Sequence, residues 1–322
     1  MKSFEYAAPS SLKEATALLG DTWGRTEIMA GGTDLVTSLK QRITQPERVV
    51  SLRKIKELKG ISTERNGIRV GAMTTLGELS ENKDVRKHFP SLITAVEGIG
   101  SAQLLSVGTV GGDLCQRPRC WFFRNGLGLL GQQGDVSLVR DGDNRYHAIF
   151  GTDGPALFVS ASSLGPALIA LGASLTIVGT GGTRSVEAVN FFRVPSSDKE
   201  RETVLKPGEI LTNITIPVKE LRNATYEVRH RHGMDWPYVT ASVAFSMDGG
   251  GADNGQAVLG HVAPTPWVAK AAFSTAKGPL NPTSAAECGE RAAQGAKPLS
   301  GNAYKVQMVK TAVKRAILAA VA

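Results

Sequence analysis

The sequence predicts an α+β fold. Short stretches with the continuous apolar pattern of strands alternate with stretches in which apolar residues recur every three or four positions, as they do in helices. Hydrophobic residues make up 42% of the 322 residues and charged residues 20%, which is typical of globular proteins. The chain exceeds the usual size of one domain and its pattern changes near residue 220, so we expect two or three domains.

The first forty residues combine a helix with a strand that leads into a glycine turn. Residues 11–20 predict a helix, which starts with the spacing of a capping box and ends at a glycine. Residues 28–30 predict a short strand, the Gly-Gly-Thr-Asp segment at 31–34 follows it directly, and residues 35–40 predict a helical turn. The order strand, glycine turn, helix is typical of phosphate-binding segments.

The middle of the chain continues this alternation. Residues 75–99 predict helices around Pro90, and a second glycine-rich segment follows at 108–113. The other predicted elements up to residue 217 are strands at 49–52, 68–72, 156–159, 174–178 and 210–217, a helix at 164–171 and a hairpin turn at 179–183.

After a charged linker at 219–222, the pattern becomes that of a smaller unit. Residues 239–245 and 257–262 predict strands of a small sheet. Residues 303–320 predict an amphipathic helix, because valines and an isoleucine recur on one face. We expect a second domain of roughly a hundred residues here.

Charge and cysteine content narrow the function classes. The net charge is +8, but the basic residues are scattered, so we expect no nucleic acid partner. An anionic cofactor, an acidic partner subunit or a merely solvated basic surface explains the charge. No apolar run is long enough to span a bilayer, and residues 1–5 do not resemble a signal peptide. With only three cysteines, this pattern predicts a cytoplasmic chain.

The two glycine-rich segments are the strongest candidates for a binding site. Glycines let backbone N–H groups approach an anion closely, and the N-terminus of a following helix adds partial positive charge. Neither segment matches the dinucleotide pattern GxGxxG, and no P-loop pattern is present, which disfavours a Rossmann site and a nucleoside-triphosphatase. Each segment taken alone is also compatible with a plain turn.

Four motifs occur in a characteristic order along the chain. They are AGGTDLVTSLK (30–40), GTVGGDL (108–114), PALIALGASL (166–175) and LGHVAPTPW (259–267). Together they resemble the FAD-binding subunit of the molybdenum hydroxylases, the group that includes xanthine dehydrogenase and carbon monoxide dehydrogenase. The resemblance covers nearly the whole chain. CQRPRCWFFR at 115–124 and DNRYHAIFG at 143–151 point further, to the medium subunit of the periplasmic aldehyde oxidoreductase branch.

The resemblance implies a more detailed fold. It implies a two-part FAD-binding domain of the vanillyl-alcohol-oxidase (PCMH) type over residues 1–218, with parts at about 1–58 and 59–218. It also implies a smaller α+β domain at 222–322, similar to the C-terminal domain of carbon monoxide dehydrogenase flavoprotein, with a three-stranded sheet and helices.

In that family the two glycine segments hold the pyrophosphate of FAD, one from each part of the flavin domain. Backbone N–H groups and the hydroxyls of Thr33 and Thr109 suit phosphate oxygens. Asp34 and Asp113 carry only acceptors, so we expect them to bind ribityl hydroxyls or backbone N–H groups. The resemblance assigns cofactor binding to Met29, Ala30, Gly31, Gly32, Thr33, Asp34, Leu35, Thr109, Gly111, Gly112 and Asp113.

The resemblance also implies an electron-transfer role. In such enzymes the substrate reacts at a molybdenum-pterin in a large subunit, and electrons pass through [2Fe-2S] clusters of a small subunit to the flavin. FAD suits this last step because it accepts electrons singly and delivers them singly or in pairs. We therefore expect the FAD-carrying subunit of a heteromeric molybdenum hydroxylase that acts on aldehydes or N-heterocycles. We expect this chain to be an oxidoreductase subunit that contains no catalytic residue for the substrate and passes electrons to an external acceptor.

Cys115 and Cys120 raise the question of a metal centre. A [4Fe-4S] cluster normally needs four thiolates. Some relatives supply them from this region, but residues 125–136 contain no cysteine, so we expect no such cluster. A zinc site that includes His147 is equally disfavoured, because the paired short spacing of structural zinc sites is missing. We expect Cys288 to be a buried free thiol.

The remaining histidines and aromatic residues show no metal or cofactor pattern. We expect the segment RHRHGMDWPY (229–238), which contains His230 and His232, to form a polar surface between the domains. The aromatic run at 121–123 is expected to belong to the core or to a subunit interface rather than to stack on the flavin.

Three positions depart from the family pattern. Leu105 stands where relatives often have arginine, Ser163 where they have aspartate and Glu227 where they have lysine. These departures keep a second hypothesis open, in which the chain is a structural scaffold subunit of the same complex with a flavin-free site. A periplasmic location also stays open, since a partner subunit with a twin-arginine signal could carry this chain with it.

Overall fold

The residues that the structure describes form three main sheets and one two-stranded ribbon, with helices packed against the sheets. The structure is a computed structural model and describes residues 1–231, 235–248, 250–276 and 278–322. No helix within these ranges is long and apolar enough to cross a membrane.

The first sheet is parallel, and its three strands alternate along the sequence with two helices. Its elements are β1 (Glu5–Ala7), α1 (Leu12–Leu19), β2 (Thr26–Met29), α2 (Leu35–Lys40) and β3 (Arg48–Ser51). β3 lies in the middle and pairs in parallel with β1 and β2. Ser11 caps α1 by accepting a hydrogen bond from the Glu14 N–H, and Gly20 ends the helix with a φ of 72°, as the sequence predicts.

The second sheet is antiparallel and lies beneath a set of short helices. The elements of this region are β4 (Ile61–Glu64), β5 (Gly67–Gly71), α3 (Leu76–Glu81), α4 (Lys83–His88), α5 (Pro90–Glu97), α6 (Ala102–Val107), α7 (Val110–Cys115), α8 (Trp121–Arg124), β6 (Gln132–Gln133), β7 (Val136–Ser137), α9 (Leu138–Asp141), α10 (Gly165–Ala170), β8 (Ser174–Gly179), β9 (Gly182–Glu187) and β10 (Ile210–Ile216). The sheet has the order β4-β5-β10-β8-β9, and β6 and β7 form the separate ribbon.

The core of this region joins helices and sheet. Leu79 of α3, Leu92 of α5 and Leu168 of α10 are fully buried and belong to one cluster with Ile177 and Ile214 of the strands. Removing these apolar surfaces from water is the main favourable term in folding. The cluster fixes the position of α6 and α7, which follow α5 and carry the second glycine segment.

The third sheet forms the C-terminal part. Its elements are β11 (Arg222–Val228), β12 (Val239–Asp248), β13 (Gly251–Gly260), β14 (Trp267–Val268), α11 (Pro282–Ala292) and α12 (Tyr304–Val321). The four strands lie side by side in the order of the chain, and each pair of neighbours is antiparallel. The sheet therefore contains the three expected strands and the additional short strand β14. α12 buries Val309, Val313 and Ile317 against this sheet and α11, which confirms the predicted amphipathic helix.

One predicted strand is absent. Residues 156–159 are mostly buried but join none of the described sheets. Their surroundings provide isolated backbone hydrogen bonds instead of a ladder, from the Ala148 N–H to the Leu157 C=O and from the Ser160 N–H to the Ala263 C=O. The apolar run therefore reflects burial, which periodicity alone does not distinguish from strand pairing.

A buried lysine joins α12 to the loop before residue 150. The Lys305 ammonium group donates to the C=O groups of Tyr146, His147 and His261 at 3.0, 3.1 and 2.9 Å. Asn302, just before the helix, donates to three further C=O contacts in the loop 144–148. These bonds tie the C-terminal helix to the segment that follows α9.

Candidate functional site

A cavity of about 1070 Å³ opens between the first sheet, the helices of the second region and the start of the third sheet. Both glycine-rich segments line it, and so do Arg229, Trp236 and Pro237 of the C-terminal part. Its volume is at the upper end of the range found for small-molecule sites. The cavity therefore has room for a large organic ligand.

The first glycine segment presents open backbone donors to this cavity. Gly32 has a φ of 81°, a conformation that favours glycine, and α2 begins three residues later. Within the described residues, the N–H groups of residues 31–35 have no hydrogen-bond partner, and the Thr33 side chain is exposed. Five successive open N–H groups ahead of a helix suit an anion.

The second glycine segment is the first turn of a helix rather than an open loop. Thr109 caps α7, because its hydroxyl oxygen accepts a hydrogen bond from the Gly112 N–H at 3.0 Å. The N–H groups of Gly111 and Asp113 donate to the C=O groups of Ala72 and Thr109. These N–H groups are therefore not available to phosphate. The segment offers the cavity the proton of the Thr109 hydroxyl and the bare surface of Gly112.

The two glycine segments lie against each other. A Cβ added to Gly31 would overlap the C=O oxygen of Val107, the last residue of α6. A Cβ added to Gly112 would lie 4.0 Å from the Cβ of Ala30. The chain thus brings both segments to one place, and glycine at position 31 is required by the close approach of the backbone itself.

Ten of the eleven predicted cofactor positions line the cavity. They are Ala30, Gly31, Gly32, Thr33, Asp34, Leu35, Thr109, Gly111, Gly112 and Asp113. Met29 is the exception, since it is the last residue of β2 and its sulfur lies 3.6 Å from where a Cβ on Gly32 would stand. The structure gathers these residues, and their contact with FAD stays a prediction.

Asp34 organises an arginine cluster beside the first glycine segment. Its carboxylate accepts a hydrogen bond from the Arg117 N–H at 2.9 Å and forms ion pairs with Arg119 at 2.9 Å and Arg124 at 2.8 Å. The Arg117 side chain pairs in turn with Glu202 at 2.8 Å. Three guanidinium groups and two carboxylates leave one net positive charge here, which favours an anionic ligand.

These arginines are functional candidates that the sequence reasoning missed. Arg117 and Arg119 line the cavity, and the Arg119 guanidinium lies 4.8 Å from the ring centroid of Trp236. Arg119 thereby joins the first glycine segment to the C-terminal part of the chain. The available signal was the presence of three arginines within CQRPRCWFFR, directly after a glycine segment.

Asp113 is buried and holds the start of α10. It accepts hydrogen bonds from the Ser162 hydroxyl at 2.6 Å and from the N–H groups of Leu164 and Ser163 at 3.0 and 3.2 Å. Burial raises the pKa of Asp113, and these hydrogen bonds oppose the rise. We expected Asp113 to bind either ribityl hydroxyls or backbone N–H groups, and the structure contains two such N–H partners.

β2 separates two chemically different groups of lining residues. Trp23 precedes the strand, and the Arg201 guanidinium lies 4.8 Å from its ring centroid while pairing with Glu27 at 2.9 Å. Burial raises the pKa of Glu27, and the charge of Arg117 opposes that rise. The second group of lining residues combines apolar Ile99 and Leu104 with Trp236 and Arg229. The cavity thus offers a long ligand both ion-paired polar groups and apolar and aromatic side chains.

The segment RHRHGMDWPY contributes to the cavity wall. The Arg229 side chain is buried and Trp236 is half-exposed, and both line the cavity, so the segment contributes one charged and one aromatic side chain to its wall. The expected polar surface between the domains stays a prediction. His232 lies outside the described residues.

The cysteines sit in surroundings that disfavour thiolates. Burial raises the pKa of Cys115 to about 12 and also raises that of Cys120. The Cys120 sulfur lies 3.1 Å from His147 Nε2, and burial lowers the pKa of His147 to about 4, so this imidazole is neutral. Within the described ranges, no group of three or more histidine, cysteine or acidic side chains is arranged to hold a metal ion. Cys288 is buried in α11 with a free thiol, as expected.

Comparison with known protein families gives two matches that together span most of the chain. A family model described as the FAD binding domain in molybdopterin dehydrogenase matches residues 2–219. A second model, described as the CO dehydrogenase flavoprotein C-terminal domain, matches residues 224–320.

Individual relatives are similar over most of their length. The carbon monoxide dehydrogenase medium chain of Hydrogenophaga pseudoflava is 29% identical over 323 residues, which cover 98% of this chain and 96% of that protein. Aldehyde oxidoreductase FAD-binding subunit PaoB of Escherichia coli is 29% identical over 276 residues, 84% of this chain and 85% of that protein. The crystal structure of quinoline 2-oxidoreductase from Pseudomonas putida 86 superimposes with a TM-score of 0.78 at 27% identity, covering 100% of this chain and 99% of that chain.

Proposed function

Because this chain belongs to the family of FAD-binding subunits of molybdenum hydroxylases, we propose that it relays electrons through one FAD bound in the cavity between its two glycine segments. The electrons come from [2Fe-2S] clusters of a small partner subunit and leave to an external acceptor. The substrate reacts at a molybdenum-pterin in a large partner subunit. In this proposal residues 1–218 form the flavin domain and residues 222–322 the smaller domain.

The observation that carries the proposal is the row of open N–H groups at residues 31–35. A diphosphate needs several donors, and these five N–H groups belong to cavity-lining residues with a φ-positive glycine among them, which suits an anion. The Thr109 hydroxyl stands opposite, on a segment pressed against the first. The arginine cluster around Asp34 adds the positive charge that a diphosphate requires.

The two groups of lining residues on either side of β2 suit the two ends of FAD. The flat surface of Ile99, Leu104 and Trp236 suits the isoalloxazine ring, and the ion-paired Arg201 over Trp23 suits a polar nucleoside. When bound, FAD supplies the exchange of one or two electrons. The chain itself positions the cofactor and excludes water from its diphosphate.

The absorption spectrum of the purified full-length chain tests this proposal. We expect the bands of oxidised flavin and about one FAD per chain after protein denaturation and cofactor release. A folded but colourless chain that takes up no added FAD would instead support the scaffold hypothesis, which rests on the departures at Leu105, Ser163 and Glu227. Of these three residues, Ser163 lines the cavity. Iron analysis of the same sample should find no iron, and several irons per chain would contradict the expected absence of a [4Fe-4S] cluster.

A further inference from the structure

A buried ion pair stands at the apolar end of the cavity. Glu227 lies near the end of β11 and Arg229 just beyond it, and their side chains are only 6% and 8% exposed. The Arg229 Nε donates to Glu227 Oε2 at 3.0 Å, and its Nη2 donates to the same oxygen. Arg229 lines the cavity, so the pair presents a charged group to whatever occupies that end.

The surrounding residues hold the pair in one arrangement. The Thr240 hydroxyl donates to the second oxygen of Glu227 at 3.2 Å, and Arg229 Nη1 donates to the Asp235 C=O at 3.0 Å. Gly98 leaves the space that the pair fills, because a Cβ there would lie 2.6 Å from Arg229 Nη2. These contacts fix the guanidinium, and Arg229 is one of the residues that line the cavity.

Stability alone is a poor explanation for this pair. Both side chains are less than one tenth exposed and have lost most of their hydration, and burial raises the pKa of Glu227 while the Arg229 charge opposes that rise. A buried ion pair contributes little net stability compared with apolar side chains of the same volume. Its position at the end lined by Ile99, Leu104 and Trp236 points to a role toward the ligand.

We infer that the Glu227–Arg229 pair sets the reduction potential of the flavin, with Arg229 as the cation facing the isoalloxazine ring and Glu227 as the positioning residue that holds it and offsets part of its charge. This inference rests on the proposed function. Reduction of a flavin by two electrons with uptake of one proton adds one negative charge to it. A fixed cation beside the ring stabilises that charge, and a fixed carboxylate opposes it. The electrons come from the reduced iron-sulfur cluster of the partner, or from dithionite in the experiment below.

The two members of the pair must then act with opposite sign. In the FAD-loaded full-length chain, titrated with dithionite in the presence of a reference dye, Arg229→Gln should lower the midpoint potential and Glu227→Gln should raise it. We expect each substitution to change the equilibrium constant for two-electron reduction about tenfold, which corresponds to about 30 mV. Arg229→Lys keeps the charge and should stay close to the unsubstituted chain.

The opposite signs separate this inference from a structural role. If the pair only supported the fold, removing either member would break the same contact and shift the potential in the same direction or not at all. Arg25→Gln is the matched control, because Arg25 pairs with Glu47 on the exposed surface and does not line the cavity. It should leave the potential unchanged.

Each remaining outcome also decides the question. Shifts of the same sign, unchanged potentials in FAD-loaded variants, or failure of both variants to fold or to retain FAD would overturn the inference alone. If one variant fails to fold, the sign of the other decides. A full-length chain that binds no FAD at all overturns the proposed function, and this inference with it.

Discussion

At the scale of single residues, close packing of the chain itself already requires glycines in the candidate site. Gly31 meets the backbone of Val107 and Gly111 meets Ala72, whose Cβ would lie 2.8 Å from an added Cβ. Among the described residues, the N–H groups of residues 31–35 have no hydrogen-bond partner, whereas those of Gly111, Gly112 and Asp113 donate to Ala72 and Thr109. The close packing of the two segments is thus the condition for a shared anion site.

Gly31→Ala tests this packing. The added Cβ would overlap a backbone oxygen, which has no rotamer that would move it away, so residues 31–35 must shift. We expect the FAD content to fall to less than half and the melting temperature to drop. The control is Gly181→Ala in the hairpin between β8 and β9, where an added Cβ meets nothing within 4 Å. Equal FAD content in both variants would contradict the assignment of the first segment.

Two buried histidines make stability depend on pH. Burial lowers the pKa of His147 to about 4 and that of His261 to about 3, whereas an unfolded histidine titrates near about 6.5. Between these values the unfolded state binds more protons, so each imidazole contributes stability that is present above pH ~6.5 and is lost as the pH falls toward 4.

Comparing the pH dependence of the free energy of unfolding in the unsubstituted chain and in His147→Gln separates the contribution of His147 from that of buried carboxyl groups. On going from pH 7 to pH 5, we expect the unsubstituted chain to lose about 1–2 kcal/mol more free energy of unfolding than the variant. Urea unfolding curves at both pH values give the comparison. Parallel losses in the two proteins would show that His147 titrates normally in the folded state.

At the scale of secondary-structure elements, α12 is held both by its apolar face and by one buried cation. Val309, Val313 and Ile317 fill the core beneath the third sheet. Lys305 in the first turn satisfies three C=O groups from two distant loops, and burial lowers its pKa to about 7. The helix thus positions the loop that contains Tyr146 and His147.

Lys305→Met tests this anchor, because methionine has similar length and no donor. It leaves three inward C=O groups without their ammonium partner, so we expect a loss of about 1–3 kcal/mol in the free energy of unfolding. Lys314→Met on the same helix, where the lysine is only partly buried, should have little effect. Thermal and chemical unfolding of both variants measure this, and a stabilised Lys305→Met would mean that the buried charge outweighs its hydrogen bonds.

At the scale of the whole molecule, the cavity brings together chain segments that are far apart in sequence. Its wall combines the turn after β2, the start of α7, Arg117 and Arg119, and residues after β11. Arg119 spans this wall between Asp34 and Trp236. A ligand bound there would contact all these segments at once and stabilise their packing.

Ligand-dependent melting tests this arrangement. A ligand that binds only the folded state at about 100 times its dissociation constant adds about 2.7 kcal/mol to the free energy of unfolding. We therefore expect FAD to raise the melting temperature of cofactor-depleted chain in a concentration-dependent way. Riboflavin lacks the diphosphate and should give a much smaller shift at the same concentration. Equal shifts would show that the glycine segments do not hold a diphosphate.

Most elements and the place of the site follow from local sequence patterns. Apolar periodicity, the cap at Ser11 and the ordered glycine motifs are short-range properties, so the helices of 75–99, the hairpin at 179–183 and both glycine segments can be predicted from the sequence. The strand predicted at 156–159 does not form, because strand pairing depends on a partner strand that no local pattern reveals.

The tertiary structure alone decides which groups of the site are free and which are used. The sequence motifs of the two glycine segments look alike, but in the fold the Gly111 N–H donates to Ala72 and the N–H groups of Gly112 and Asp113 donate to Thr109, whereas those of residues 31–35 have no partner among the described residues. It also turns Arg119 onto Asp34 and Trp236 and buries Arg229 against Glu227 at the cavity. Hydrogen bonding and charge pairing between distant residues depend on three-dimensional proximity, and proximity is the property that a linear pattern does not contain.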